Sequence, residues 1–233
     1  KEFLRSCQRL AESLGVNGLA WLGAYQKAKR EQASFDQGCL AIGERALDFC
    51  REHDVIPVVV LGRPYTIYNS VLNSNVPPLL REQGAIGIPI DCYEVSDDVP
   101  TFEGVYWGHG QKNLRAAHQI RRTPGLYSIW CSNYSCGPDS FNLHFFSYAM
   151  AGRPFAVIET DGHSGDAGTK TRIEAFLHCV REDLARVDEQ PLVTLGQRLE
   201  IGADAVPEAA PNPIQAVPFP ERKQLRDEML AKL

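Results

Sequence analysis

From residue 55 onward, short uninterrupted apolar runs alternate with stretches of helical period. The run Ile56 to Leu61 (IPVVVL) has no polar member, the pattern of a strand buried on both faces of a parallel sheet. Ala85–Ile90, Leu126–Cys131 and Pro154–Glu159 are predicted as further strands. Helical spacing predicts helices over Val71–Gln83, Gly110–Arg122, Pro138–Ala151 and Thr171–Ala185, with Pro138 at a first helical position. Strand followed by helix at least four times, with connections long enough for crossovers, predicts an α/β fold. The expected architecture is a Rossmann-like three-layer parallel sheet of at least four strands, with right-handed connections and helices on both faces.

Ahead of the first strand, the spacing of Phe3, Leu4, Cys7, Leu10 and Leu14 predicts an amphipathic helix. A glycine-punctuated stretch from Gly15 to Gly23 follows, then a long helix over Glu31–His53. After the last strand–helix pair, Leu192–Leu195 is expected as a short edge strand. Residues 201–220 turn to Ala and Pro with few large apolar side chains, as in a linker or arm, and Glu221–Leu233 fits one more helix. The expected organisation is an N-terminal helical segment (1–54) packing on an α/β core (55–200), then an arm and C-terminal helix (201–233). Both ends read as parts of a longer polypeptide.

Composition narrows the function classes. The 233 residues are 44% hydrophobic, enough for one sizeable core. The net charge of −5 and the lack of any Lys/Arg stripe speak against a nucleic-acid partner. No apolar run reaches the length of a membrane span, and the first residues lack a signal-peptide core. Seven cysteines, odd in number and scattered, do not form a disulfide framework; the expected compartment is a reducing cytoplasm.

In an open α/β sheet, ligands bind beyond the carboxyl ends of the strands. Four distinctive segments fall there: Gly62-Arg63-Pro64-Tyr65, Asp91-Cys92, Ser132 to Ser140, and Glu159 to Asp166. Cys136 precedes a helix start, where the free N–H groups of the first turn favour a thiolate able to attack electrophiles or bind iron or zinc. Gly137 permits close approach of a ligand. Equally, Gly137-Pro138-Asp139 is ordinary helix-start chemistry with Cys136 a small packed residue. Asp161 and His163, in a loop rich in small residues, can bind a metal, orient one another or shuttle protons; turn and cap roles are the alternative. Arg63 serves as an anion contact or a structural anchor, and Arg172 as an anion contact or a partner of Glu174 or Asp166. Cys131 reads as a buried structural thiol, and Cys7, Cys39, Cys50 and Cys179 as packed helix residues; Cys92 stays open. Tyr106-Trp107 can shape a pocket wall, but core packing is their expected role. Neither G-x-G-x-x-G nor G-x-x-x-x-G-K-[ST] occurs in the chain, so no nucleotide site is expected.

Several of these segments together carry a family resemblance. They are Gly62-Arg63-Pro64-Tyr65, Ile88-Pro89-Ile90-Asp91, Tyr106-Trp107 with Gly110-Gln111, and Leu114-Arg115-Ala116-Ala117. To these add Ser132-Asn133-Tyr134 with Cys136-Gly137-Pro138-Asp139-Ser140-Phe141, then Asp161 with His163-Ser164, Asp166-Ala167-Gly168 and Thr171 to Phe176. Over roughly Val55 to Leu177 the chain resembles the DUF2229 family, a domain of 2-hydroxyglutaryl-CoA dehydratase activator-like proteins (CoA-substrate-specific enzyme activases). In that family the domain is fused to ATPase modules and resembles the iron–sulfur subunits of 2-hydroxyacyl-CoA dehydratases. The resemblance implies an ATP-dependent, low-potential electron-transfer system in which Cys136 is one ligand of a [4Fe–4S] or related cluster. The remaining ligands would come from parts of the longer polypeptide, since a cubane wants about four. Its substrate would be a CoA-thioester or another small reducible molecule. Arg63, Asn133, Gly137, Asp139, Ser140 and Arg172 are expected to line the cofactor, with Cys136, His163 and Asp161 as the reacting groups. Two rival readings need less: a cysteine-dependent acyl transferase or hydrolase using Cys136, His163 and Asp161, and a non-catalytic docking domain.

Overall fold

The structure is a computed structural model that describes residues 2–16, 18–134, 136–161 and 166–188. Two helices come first, α1 (Glu2–Ser13) and α2 (Ala20–His53). Then follow β1 (Ile56–Gly62), α3 (Pro64–Ile67), α4 (Val76–Glu82), β2 (Ala85–Pro89) and a 3₁₀ turn (Ile90–Cys92). The order finishes α5 (Gly108–Arg122), β3 (Tyr127–Asn133), α6 (Gly137–Ala149), β4 (Phe155–Thr160) and α7 (Asp166–Asp188).

All four strands are parallel, in the order β2-β1-β3-β4. The apolar run of β1 lies at the centre of this sheet: Val58, Val59, Val60 and Leu61 are buried, as is Tyr127 to Cys131 of β3. Burying one such Val or Leu contributes about 1.5–3 kcal/mol, and continuous burial explains why neither strand alternates apolar with polar positions. With right-handed crossovers, the β1-to-β2 connection covers one face, and the β2-to-β3 and β3-to-β4 connections cover the other. The helix contacts agree, since α4 packs on α7 and α5 on α6. This is a Rossmann-like α/β fold with helices on both faces of a four-stranded sheet.

Two predicted helices differ in extent. The long N-terminal helix starts at Ala20, not Glu31, and runs through Gly23 and Gly38. Tyr25 stacks on Phe3 of α1 at 5.9 Å between ring centroids, so packing between the two helices overrides the cost of glycine. The helix predicted over Val71–Gln83 begins only at Val76. Ahead of it, the Asn69 side chain accepts the N–H groups of Val71 and Leu72, and Ser74 and Asn75 have positive φ. Pro77 and Pro78 then occupy the first helical turn, where the missing N–H groups cost nothing. The expected edge strand Leu192–Leu195, the 201–220 arm and the C-terminal helix lie outside the described residues.

Candidate functional site

Strand order reverses between β1 and β3. The chain leaving β1 turns toward β2, and the chain leaving β3 turns the other way toward β4. The loops therefore diverge and open a crevice at the carboxyl ends, the usual place for a ligand in such sheets. Gly62 closes β1 here with φ +145°. A Cβ at that position would lie 2.5 Å from the Cys131 carbonyl oxygen, so only glycine fits. Asn113 of α5, itself buried, fixes this backbone: its Nδ2 donates to the Gly62 carbonyl at 3.0 Å and its Oδ1 accepts the Gly62 N–H at 3.4 Å.

Arg63 follows and reaches across the crevice. Its Nε donates to Asp139 Oδ1 at 3.2 Å, and the Ser132 hydroxyl donates to Asp139 Oδ2 at 2.8 Å. Asp139 is only 2% exposed, so this carboxylate is an internal anchor that ties the start of α6 to the ends of β1 and β3. Beside it, Asn133 accepts from the Thr66 hydroxyl at 2.9 Å and donates from Nδ2 to the Thr160 carbonyl at 3.2 Å, linking three strand ends.

Cys136 stands in this framework as the N-cap of α6, with extended backbone (φ −72°, ψ 103°). Its N–H donates to the Asn133 carbonyl, and its own carbonyl accepts from the N–H and the hydroxyl of Ser140, each at 2.9 Å. The thiol is half-buried, with the Tyr65 hydroxyl 3.8 Å from Sγ. Partial burial works to lower the Arg63 pKa, yet electrostatic interaction with Cys136 and the bond to Asp139 hold it above its ordinary value. The Tyr65 phenol is pushed up, first by burial and then by its hydrogen bond to Cys136. Among the described residues, beyond its chain neighbours and its own helix backbone, no atom lies within 4 Å of where a Gly137 Cβ would sit.

The structure thus brings together Arg63, Asn133, Cys136, Gly137, Asp139 and Ser140 at one crevice. Asp161 is exposed just past the end of β4, the strand next to β3. Arg172 is exposed on α7. His163 lies outside the described residues, as does the rest of its loop from 162 to 165. Asp91 belongs to the neighbouring strand end, where Lys112 Nζ binds its Oδ1 at 2.8 Å and the Tyr68 hydroxyl its Oδ2 at 3.2 Å.

Sequence reasoning missed Tyr65 and Thr66 as contacts and missed Asn113 altogether. Asn113 had a visible signal: it falls on the stripe Gly110, Asn113, Leu114, Ala117 and Ile120, all buried, as the one polar side chain at a core-facing position. The expected core role of Tyr106-Trp107 is corrected. Tyr106 is 89% exposed and Trp107 38%, and the rings run on through Phe141 (5.9 Å) to Phe145 (5.1 Å) along the α5–α6 seam. Cys179, expected to pack, is exposed because it falls on the outer side of α7, away from Ile173, Phe176, Leu177 and Val180. Cys131 is fully enclosed, and burial pushes its thiol up to about 12.

The structure thus sets a half-buried cysteine beside a tyrosine hydroxyl and near an arginine at the switch point of a Rossmann-like parallel α/β sheet. Residues 1–92 match the family model described as CoA enzyme activase uncharacterised domain (DUF2229), the family the motifs resemble. The match takes in α1 and α2, where sequence reading found no motif, and ends at Cys92. No curated protein and no solved structure gave a match to the chain. Among the described residues there is no group of three or more His, Cys, Asp and Glu side chains placed to hold a metal ion, and no helix long and apolar enough to cross a membrane.

Proposed function

We propose that this chain is one domain of an ATP-dependent, iron–sulfur-containing activator related to 2-hydroxyacyl-CoA dehydratase systems, and that Cys136 supplies one ligand to a low-potential cluster. The description of the matched family supports a general activator-like role within a larger enzyme system. The observation that carries the finer reading is the half-buried Cys136 at the switch-point crevice, with a guanidinium close by.

The donor set fits such a cluster in one way only. A single accessible thiol, with no three-residue group around it among the described residues, fits one ligand position and leaves the others to different segments of a longer polypeptide. When bound, the cluster would supply low-potential electrons for reduction of a CoA-thioester or a similar small substrate. The chain's own residues present the thiol. Ser140 and Asn133 fix the Cys136 backbone, the Tyr65 hydroxyl stands 3.8 Å from Sγ, and Arg63, steered by Asp139, compensates negative charge at the crevice. ATPase domains of the same polypeptide would provide the drive.

Anaerobic reconstitution of the longer protein with iron and sulfide tests this reading. Cys136→Ser is expected to lower bound iron and to change or abolish the electron paramagnetic resonance signal relative to wild type. Iron content and spectra that do not change on that substitution refute it.

A further inference from the structure

A second thiol site lies away from the crevice, where α2 crosses the carboxyl end of β2. Gly43 of α2 meets the 3₁₀ turn so closely that a Cβ there would fall 1.6 Å from the Cys92 carbonyl oxygen and 3.1 Å from the Cys92 Cβ. Cys39 sits one helical turn before Gly43 on the same side, which sets it over the same 3₁₀ turn, near enough to Cys92 to help push the Cys92 thiol up after burial. Both are free and half-buried. A cleft of about 380 Å³, lined in part by Gln37, Leu40, Glu44, Cys92 and Glu94, opens beside Cys92 and is large enough to admit a small molecule.

We propose that Cys39 and Cys92 form a reversible disulfide that clasps α2 to the carboxyl end of β2, the oxidant being a low-molecular-weight disulfide. The thiolate of Cys39 attacks one sulfur of the small disulfide, forming a mixed disulfide and releasing one small thiol. The thiolate of Cys92 then attacks the Cys39 sulfur, closing the Cys39–Cys92 bond and releasing the second small thiol. Two protein thiols are oxidised and one small disulfide is reduced to two thiols. Cys92 takes the second step because burial, then the neighbouring Cys39 and Asp91, raise its pKa and make it the poorer first attacker, while Lys112 acts weakly the other way. No third His, Cys, Asp or Glu joins the pair in a metal-holding group among the described residues, so the geometry favours a disulfide over a metal. The bond would close a loop from the middle of a long helix to the sheet, crossing all of β1 and β2.

The test incubates the full chain with oxidised glutathione or with dithiothreitol, then maps disulfides by peptide mass spectrometry and follows thermal unfolding. The expected result is a Cys39–Cys92 cross-linked peptide and a rise in Tm on the order of 10 °C, from the entropy removed by closing a loop of this length, reversed by dithiothreitol. Cys39→Ser should abolish both. The proposal is overturned if the two cysteines carry separate glutathione adducts, if either links to a different cysteine, if the cross-link leaves Tm unchanged, or if the shift persists in Cys39→Ser.

Discussion

The Asp139 anchor gives the sharpest stability prediction. Asp139→Ala removes a carboxylate that is 2% exposed and accepts from two groups, Arg63 Nε and the Ser132 hydroxyl. Deleting one partner of a buried ion pair costs about 3–5 kcal/mol. The Arg63 side chain keeps 25% of its exposure, so water recovers part of that and about 2–3 kcal/mol is the better figure for this pair. Ser132 is 1% exposed, and its hydroxyl, left with only the Asn133 carbonyl at 3.5 Å, adds about 1–2 kcal/mol. A total of about 4 kcal/mol lowers Tm by roughly 10 °C in a chain of this size. Urea denaturation followed by far-ultraviolet circular dichroism measures it. Because the two losses share one carboxylate, Ser132→Ala in the Asp139→Ala background should cost nearly nothing, although Ser132→Ala alone costs about 1 kcal/mol. Destabilisation of Asp139→Ala by less than about 1 kcal/mol, or strictly additive effects in the double variant, would refute the claim that this carboxylate ties the crevice together.

Three further outcomes follow from the same geometry. Gly43→Ala sets a methyl group against the Cys92 backbone, which cannot swing aside as a side chain would, so α2 must lift from the 3₁₀ turn; a loss of about 2–3 kcal/mol in urea denaturation is expected, and one under about 0.5 kcal/mol would contradict it. Under native conditions iodoacetamide should label Cys179 and Cys136, while Cys131 and Cys50, buried and with raised pKa values, react only after unfolding, as peptide mass spectrometry of quenched time points would report. The His118 pKa is lowered by burial and then by Arg122 and Arg121, so the unfolded chain binds more protons than the folded one between the folded value and about 6.5. Stability should therefore fall as pH drops from 7 through that window, and His118→Gln should flatten the fall; equal pH slopes for the two chains would show that His118 is not responsible.

The α/β order was legible because β1 and β3 are buried on both faces, and a strand in that setting is mostly apolar, as β3 is apart from Ser128, Ser132 and Asn133. Boundaries failed where side chains compete with the backbone ladder: Asn69 captures two N–H groups and delays α4 past Asn75. The start of α2 was lost because the glycine-punctuated stretch ending at Gly23 lowers propensity, while the packing of Tyr25 against Phe3 is tertiary. At the candidate site, Arg63, Asn133 and Cys136 could be placed from strand ends alone, since each strand delivers its next residues to the same side of the sheet. Periodicity carries no information on which of two carboxylates is solvent-facing. Asp139 is enclosed and Asp161 exposed because the first, in the opening turn of α6, faces Ser132, whereas the second has just left β4. The Cys39–Cys92 pair was invisible for the same reason, as 53 positions along the chain separate two thiols that only the crossing of α2 over β2 brings together.

The length of α2 has a consequence for how the molecule breathes. Its 34 residues make a rod of about 51 Å, yet its buried positions, Gly43 and Cys50, both lie in the carboxyl-terminal third, and every residue from 26 to 38 is exposed. Amides near the carboxyl end should exchange with solvent hydrogen only when the whole sheet opens, whereas those in the exposed stretch rely on intrinsic helical propensity and exchange through local melting. One continuous helix would then show a gradient of protection, steep around Gly38, that divides a fixed root from a limb able to unwind and rewind while the core stays intact.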